Sequence, residues 1–92
     1  MAEFPALPLF TDAYLADTTH LSEVEHGRYF LMLVHLWRMP NKRFPNDNKW
    51  LARKFSKTVE EVETDLRPLI SEFFKVDGNC IWHKRMDKEF AH

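Results

Sequence analysis

Residues 22–39, SEVEHGRYFLMLVHLWRM, decide the fold of this chain. Ser22 with Glu25 three residues on is the S-x-x-E pattern of a capping box, in which each side chain satisfies a backbone donor at a helix start. A helix is expected to begin here and to run to Met39, because Pro40 cannot continue it. From Tyr29 to Trp37 only His35 interrupts an apolar run, whereas a helix lying on a surface shows an apolar stripe with polar residues opposite. The run therefore predicts a core helix covered on several sides, with His35 a satisfied core histidine. Eighteen residues span about 27 Å, and each large apolar side chain contributes roughly 1.5–3 kcal/mol when fully buried, so this helix supplies a large share of the folding free energy. Gly27, near the helix start, costs about 1 kcal/mol relative to alanine, and close approach of the N-terminal segment is the expected reason.

Upstream, Pro5 and Pro8 lack backbone donors and fix φ, so residues 4–10 are expected to lie as an extended strap, with Phe4, Leu7, Leu9 and Phe10 as core cover. Thr11 or Asp12 then caps a short helix through about Asp17, anchored by Tyr14 and Leu15.

Downstream of Pro40, NKRFPND reads as a loop, and Asn46 or Asp47 caps a second helix at about 48–55 with Trp50, Leu51 and Phe55 inward. A tight SKT connection leads to Thr58 and Glu61, a second capping-box pattern. The third helix carries Val59, Val62, Leu66, Leu69 and Phe73 at 3–4–3–4 spacing, and Pro68 is expected to kink or end it around 65–68, after which it resumes briefly. FFKV-DG-NCIWHK then reads as a β-hairpin around Asp77-Gly78, with Phe74 opposite Ile81 and Phe73 opposite Trp82.

The order is helix, helix, tight turn, helix, hairpin. It predicts a mainly α single domain with a small β-hairpin, of winged helix-turn-helix-like class. Its parts are an N-terminal strap and short helix at 1–21, the central helix at 22–39, a helix-turn-helix at 47–72 and a hairpin wing at 73–84.

Ninety-two residues with eight Phe, three Trp and two Tyr suit one aromatic-rich domain. The single cysteine, Cys80, allows no intramolecular disulfide. The N-terminus has no basic n-region and two prolines inside its apolar run, which argues against a signal peptide, and no apolar stretch reaches the ~20 residues of a membrane span. A cytoplasmic protein without membrane contact is expected.

The net charge of −1 conceals a strong segregation. Residues 1–37 carry five acids and one base, 38–57 carry seven bases against Asp47, and 58–77 carry six acids against Arg67 and Lys75. Lys49, Arg53 and Lys57 follow at intervals of four, one outward row if the helical phase continues; the row fits phosphate contacts or an ordinary solvated face. In a helix-turn-helix the second helix reads the major groove with its N-terminal residues, and here those are Glu60, Glu61, Glu63 and Asp65, which phosphate repels. Nucleic-acid contact is instead expected at Arg38, Lys42, Arg43, Lys49, Arg53 and Lys57, with Lys84 and Arg85, and to be phosphate-directed. The acidic residues Glu60, Glu61, Glu63 and Asp65 are an alternative protein-docking face.

Catalytic chemistry is not signalled. Cys80 and His83 form a lone C-x-x-H whose spacing in a strand sends the side chains to opposite faces, so no metal is expected. With two glycines there is no glycine-rich phosphate loop, and no residue is marked as a nucleophile. Neither enzyme activity nor a cofactor is expected.

The pieces PLFTDAYLADTTHLS (8–22), EHGRYFLMLVHLWR (25–38), LAR (51–53) and EFFKVDGNCIWHKRMDKE (72–89) together resemble a phage and prophage domain family of unknown function, found at the N-terminus of YdaU-like proteins. The resemblance covers nearly the whole chain and implies a winged-helix module of the replication-initiator or helicase-loader kind. It implies DNA binding or tethering of a phage or host replication partner, and supplies no catalytic residues. The chain is then a fragment of a longer protein or a free-standing phage protein. The rival expectation is a stand-alone phage accessory protein that binds and inhibits or redirects a host protein.

Overall fold

A computed structural model describes residues 11–85; the strap residues 4–10 and the tail beyond Arg85 lie outside it. The short helix α1 (Thr11–Thr18) leads into α2 (Glu23–Arg38). Both halves of the expected capping box form: Glu25 N–H donates to Ser22 Oγ at 3.2 Å, and Ser22 N–H donates to Glu25 Oε1 at 2.8 Å. Hydrogen bonds from the Ser22 backbone N–H, first, and the Ser22 hydroxyl hold the Glu25 carboxyl below the usual carboxylate range.

The inward face of α2 is Tyr29, Met32, Leu33, Leu36 and Trp37, with Met32 and Leu36 fully buried. The outward face differs from the sequence expectation. Val24, Phe30 and Leu31 are 61%, 42% and 54% exposed, so the helix is covered on one side rather than several. Among the described residues a Cβ built at Gly27 meets nothing within 4 Å, and the strap expected to approach it lies outside them.

The segment read as a loop contains a strand. β1 (Phe44–Pro45) pairs antiparallel with β3 (Cys80–Trp82), which in turn pairs with β2 (Lys75–Asp77), giving a three-stranded sheet of order β1-β3-β2. A two-residue strand ending in proline has almost no local signature; it exists because Phe44 is buried against Ile81. Asn46 fixes the join, its backbone N–H donating to Asn79 O at 2.9 Å and its Nδ2 to Gly78 O at 3.0 Å. The hairpin register also moves by two residues. Val76, not Phe74, lies opposite Ile81, because the loop is Gly78-Asn79 and not Asp77-Gly78. Gly78, at φ +56°, takes the first loop position, where a primed hairpin turn demands positive φ.

The segment expected to form a helix-turn-helix begins at α3 (Asn48–Lys54), capped by Asp47, whose carboxylate accepts from Lys49 N–H at 2.9 Å. It ends in a Schellman closure: Ser56 is left-handed at φ +55° and Lys57 N–H reaches Ala52 O at 2.8 Å. This turn breaks the helical phase, so Lys57 leaves the row begun by Lys49 and Arg53. Thr58 and Glu61 form the second capping box of α4 (Val59–Glu61).

The regular α-helix is interrupted ahead of Pro68 and resumes at Arg67, as expected. In an α-helix Pro68 would leave the Thr64 carbonyl without its donor. Here the chain widens into a π turn (Val62–Leu66), with Arg67 N–H bonded five residues back to Val62 O, and α5 (Arg67–Phe73) starts with Pro68 in its first turn, where no donor is needed. The extra residue in the turn rotates the inward face. Val62, Leu66, Leu69 and Ile70 are buried, while Val59, expected inward, is 39% exposed.

One core joins these elements: Tyr29, Met32, Leu33 and Leu36 of α2 with Phe44, Leu51, Val62, Leu66, Ile70, Phe74 and Ile81. The result is a single domain, mostly helical with a small antiparallel sheet, consistent with a winged-helix-like fold.

Two opposite glycine exchanges are expected to stabilise it. Gly27→Ala fills open space in a helix, and Ser56→Gly relieves a left-handed non-glycine residue; each should add about 0.5–1 kcal/mol in urea unfolding. A loss at Gly27→Ala would mean that the glycine answers to packing inside the domain.

Candidate nucleic-acid interface

The eight basic residues singled out in the sequence do not form one surface. Lys42 is 5% exposed: its left-handed backbone (φ +58°) turns the ammonium inward, where it lies 4.7 Å from the Trp37 ring centroid and donates to Met39 O at 3.2 Å. That burial removes it from any phosphate-facing set. Arg43 is half-buried, its guanidinium 5.1 Å from the Trp82 ring centroid and its Nη1 donating to Lys42 O. Lys57 is held by Asp65 at 3.0 Å.

Lys49 and Arg53 remain exposed on α3, one helical turn apart on the same side. Lys54, which the sequence reading did not single out, joins them; it is exposed, with its ammonium 5.9 Å from the half-buried Trp50 ring. Arg38 is exposed at the end of α2. The His35 pKa is lowered first by burial and then by the charges of Lys54 and Arg38. His35 itself sets its ring edge-on against Phe55 at 5.2 Å. The meeting of Lys54 with the last turn of α2 is tertiary, and spacing along either helix does not reveal it.

Lys84 and Arg85 are exposed elsewhere. Arg85 acts on Tyr29 and His83, whereas Arg38 acts on His35, six residues and about 9 Å further along α2. Lys84 and Arg85 follow β3 at the end of the hairpin and are not part of α3.

The acidic helix is partly neutralised from within the domain. Glu61 is spent on the cap of α4, and Glu63 accepts from Asn48 Nδ2, while Asn48 Oδ1 accepts from Arg67 Nε at 2.8 Å. Asp65 meets Lys57 at 3.0 Å and Arg28 at 3.5 Å, and these bonds hold its carboxyl below the usual range. Glu60 is exposed at the helix start.

A second cluster of polar aromatics ties α1, α2 and the hairpin together. Tyr29 stacks between Phe73 at 4.4 Å and Tyr14 at 5.9 Å, and its hydroxyl shares a 2.9 Å hydrogen bond with His83 Nε2. Tyr14 reaches His26 Nδ1 at 3.1 Å, and His20 Nε2 meets the Glu72 carboxylate. Burial raises the Tyr29 hydroxyl pKa and lowers that of His83 to about 4. Cys80 is separately engaged, its thiol donating to Asp77 O at 3.6 Å. Among the described residues no three His, Cys, Asp or Glu side chains come together as a metal site. No described helix is long and apolar enough to cross a membrane.

His83 has a consequence for acid stability. The unfolded imidazole takes its proton near pH 6.5 and the folded one near 4, so the stability that depends on its neutral form is complete above pH 6.5 and falls as the pH drops toward 4. The domain should be about 2 kcal/mol less stable at pH 5 than at pH 7 in urea unfolding, and His83→Phe should flatten that slope. An unchanged slope in His83→Phe would place the titration elsewhere.

Comparison with known proteins places the chain by sequence. Residues 7–91 match a family of proteins of unknown function, DUF1376. The uncharacterised protein YdaU of Escherichia coli (strain K12) is 34% identical over 91 residues, 99% of this chain and 30% of YdaU. The chain thus spans under a third of the length of that relative. No solved structure matches it. With nearly its full length matched, the chain belongs to the DUF1376 family.

Proposed function

We propose that this domain is a phage- or prophage-derived, non-catalytic module associated with DNA replication, which binds DNA through phosphate contacts and so tethers replication machinery to it. The observation that carries this reading is the exposed cationic side of α3, Lys49, Arg53 and Lys54, with Arg38 beside it, on the first helix of the helix-turn-helix. The helix after the turn opens with Glu60, Glu61 and Glu63, which makes insertion of that helix into a groove unfavourable. Binding by α3 fixes position on the backbone without reading sequence. Lys84 and Arg85 offer a second phosphate contact for a strand that runs past the hairpin.

One observation favours a second reading, an accessory protein that binds and inhibits or redirects a host protein. Val59 is exposed beside Glu60 and one helical turn from Glu63, a mixed apolar and acidic surface suited to a basic protein partner.

Fluorescence anisotropy with labelled single-stranded and duplex DNA tests the first reading. Three or four neutralised phosphates predict that log affinity falls with log salt at a slope of about −3, with little dependence on sequence. Lys49→Glu with Arg53→Glu should lower affinity by about 100-fold while leaving the circular dichroism spectrum unchanged. No binding at low salt, or unchanged affinity in the double variant, overturns the assignment and leaves the acidic surface as the working site.

A further inference from the structure

Among the described residues nothing covers the outward face of α2, which is apolar and exposed. Val24, Gly27, Leu31, Val34 and Arg38 follow at intervals of three, four, three and four, the spacing of a helix–helix seam. Val24 and Leu31 are 61% and 54% exposed, and Phe30, 42% exposed, flanks them. Gly27 sits in this seam with nothing near its Cβ position, although a helical glycine costs about 1 kcal/mol relative to alanine. A glycine on an apolar helix face provides a shallow hole into which a side chain of a second helix fits.

We infer that this face pairs with the same face of a second copy of the chain, the two α2 helices running antiparallel across a two-fold axis near Phe30 and Leu31. Charge selects both the partner and its direction. The helix is acidic at its start, at Glu23 and Glu25, and cationic at its end, at Arg38. An antiparallel copy brings Glu23 of each chain toward Arg38 of the other and opposes the helix dipoles, whereas a parallel copy sets like charges together. In that register Val34 of one chain faces Gly27 of the other. The surface is one helix face, about 24 Å long, well below the ~800 Å² per partner of a tight complex, so the dimer is weak and concentration-dependent.

Sedimentation equilibrium of the 92-residue chain over a wide concentration range tests this. The weight-average mass should rise from 11.1 kDa toward twice that value at high micromolar concentration. Leu31→Glu should weaken association by about tenfold or more with the fold intact. Gly27→Leu separates close packing from general stickiness: it adds apolar surface yet should abolish the dimer. Arg38→Glu should weaken association, and adding Glu23→Lys to it should restore it. A chain monomeric at every concentration overturns the inference, as does a dimer that Gly27→Leu strengthens or that the charge exchange fails to rescue.

Discussion

Burial of one side of α2 is the constraint on which the rest of the structure depends. Met32 and Leu36 lose all contact with water, and Tyr29, Leu33 and Trp37 lose nearly all of it. Most of the other elements bring side chains to that surface: Phe44 from β1, Leu51 from α3, Val62, Leu66 and Ile70 from the widened helix, and Ile81 from β3. At roughly 1.5–3 kcal/mol per large side chain, this contact outweighs the local irregularities that it imposes. The π turn at Val62–Leu66 and the left-handed backbone at Lys42 and Ser56 are such irregularities. Each lets the chain return to α2 at the angle the core requires.

The same geometry redistributes the charge. Along the chain, residues 38–57 look like one basic block and 58–77 like one acidic block. In space, Lys42 and Arg43 turn onto Trp37 and Trp82, Lys57 neutralises Asp65, and Glu63 and Arg67 are joined through Asn48. What reaches solvent is a smaller basic surface on α3 and the end of α2. It lies beside a helix whose exposed acids discourage entry into a groove. The phosphate contact proposed for α3 rests on that distribution, and the proposed α2 seam shares Arg38 with it.

Where local chemistry decides structure, the sequence was legible. Both capping boxes, the Asp47 cap, the short first helix and the presence of a hairpin are short-range patterns, and each forms. Where partners distant in sequence decide, it was not. β1 is a strand only because β3 lies beside it, and the hairpin register depends on which residue takes positive φ. The outward face of α2 was misread because apolar composition does not say which side is covered. Among the candidate site residues, Lys49, Arg53 and Arg38 are exposed as expected from their positions. Lys42 is buried where the backbone turns left-handed, a reversal that its position in the sequence does not reveal, and the nearness of Lys54 to the last turn of α2 is tertiary.

The most direct test of the account is the amide NMR spectrum of the ¹⁵N-labelled chain, followed residue by residue as duplex DNA is added. The account predicts that the largest shifts fall on α3, from Lys49 to Lys54, and at the end of α2 around Arg38. Shifts centred on Glu60 to Leu66 would show that the acidic helix enters the groove after all, and would contradict it.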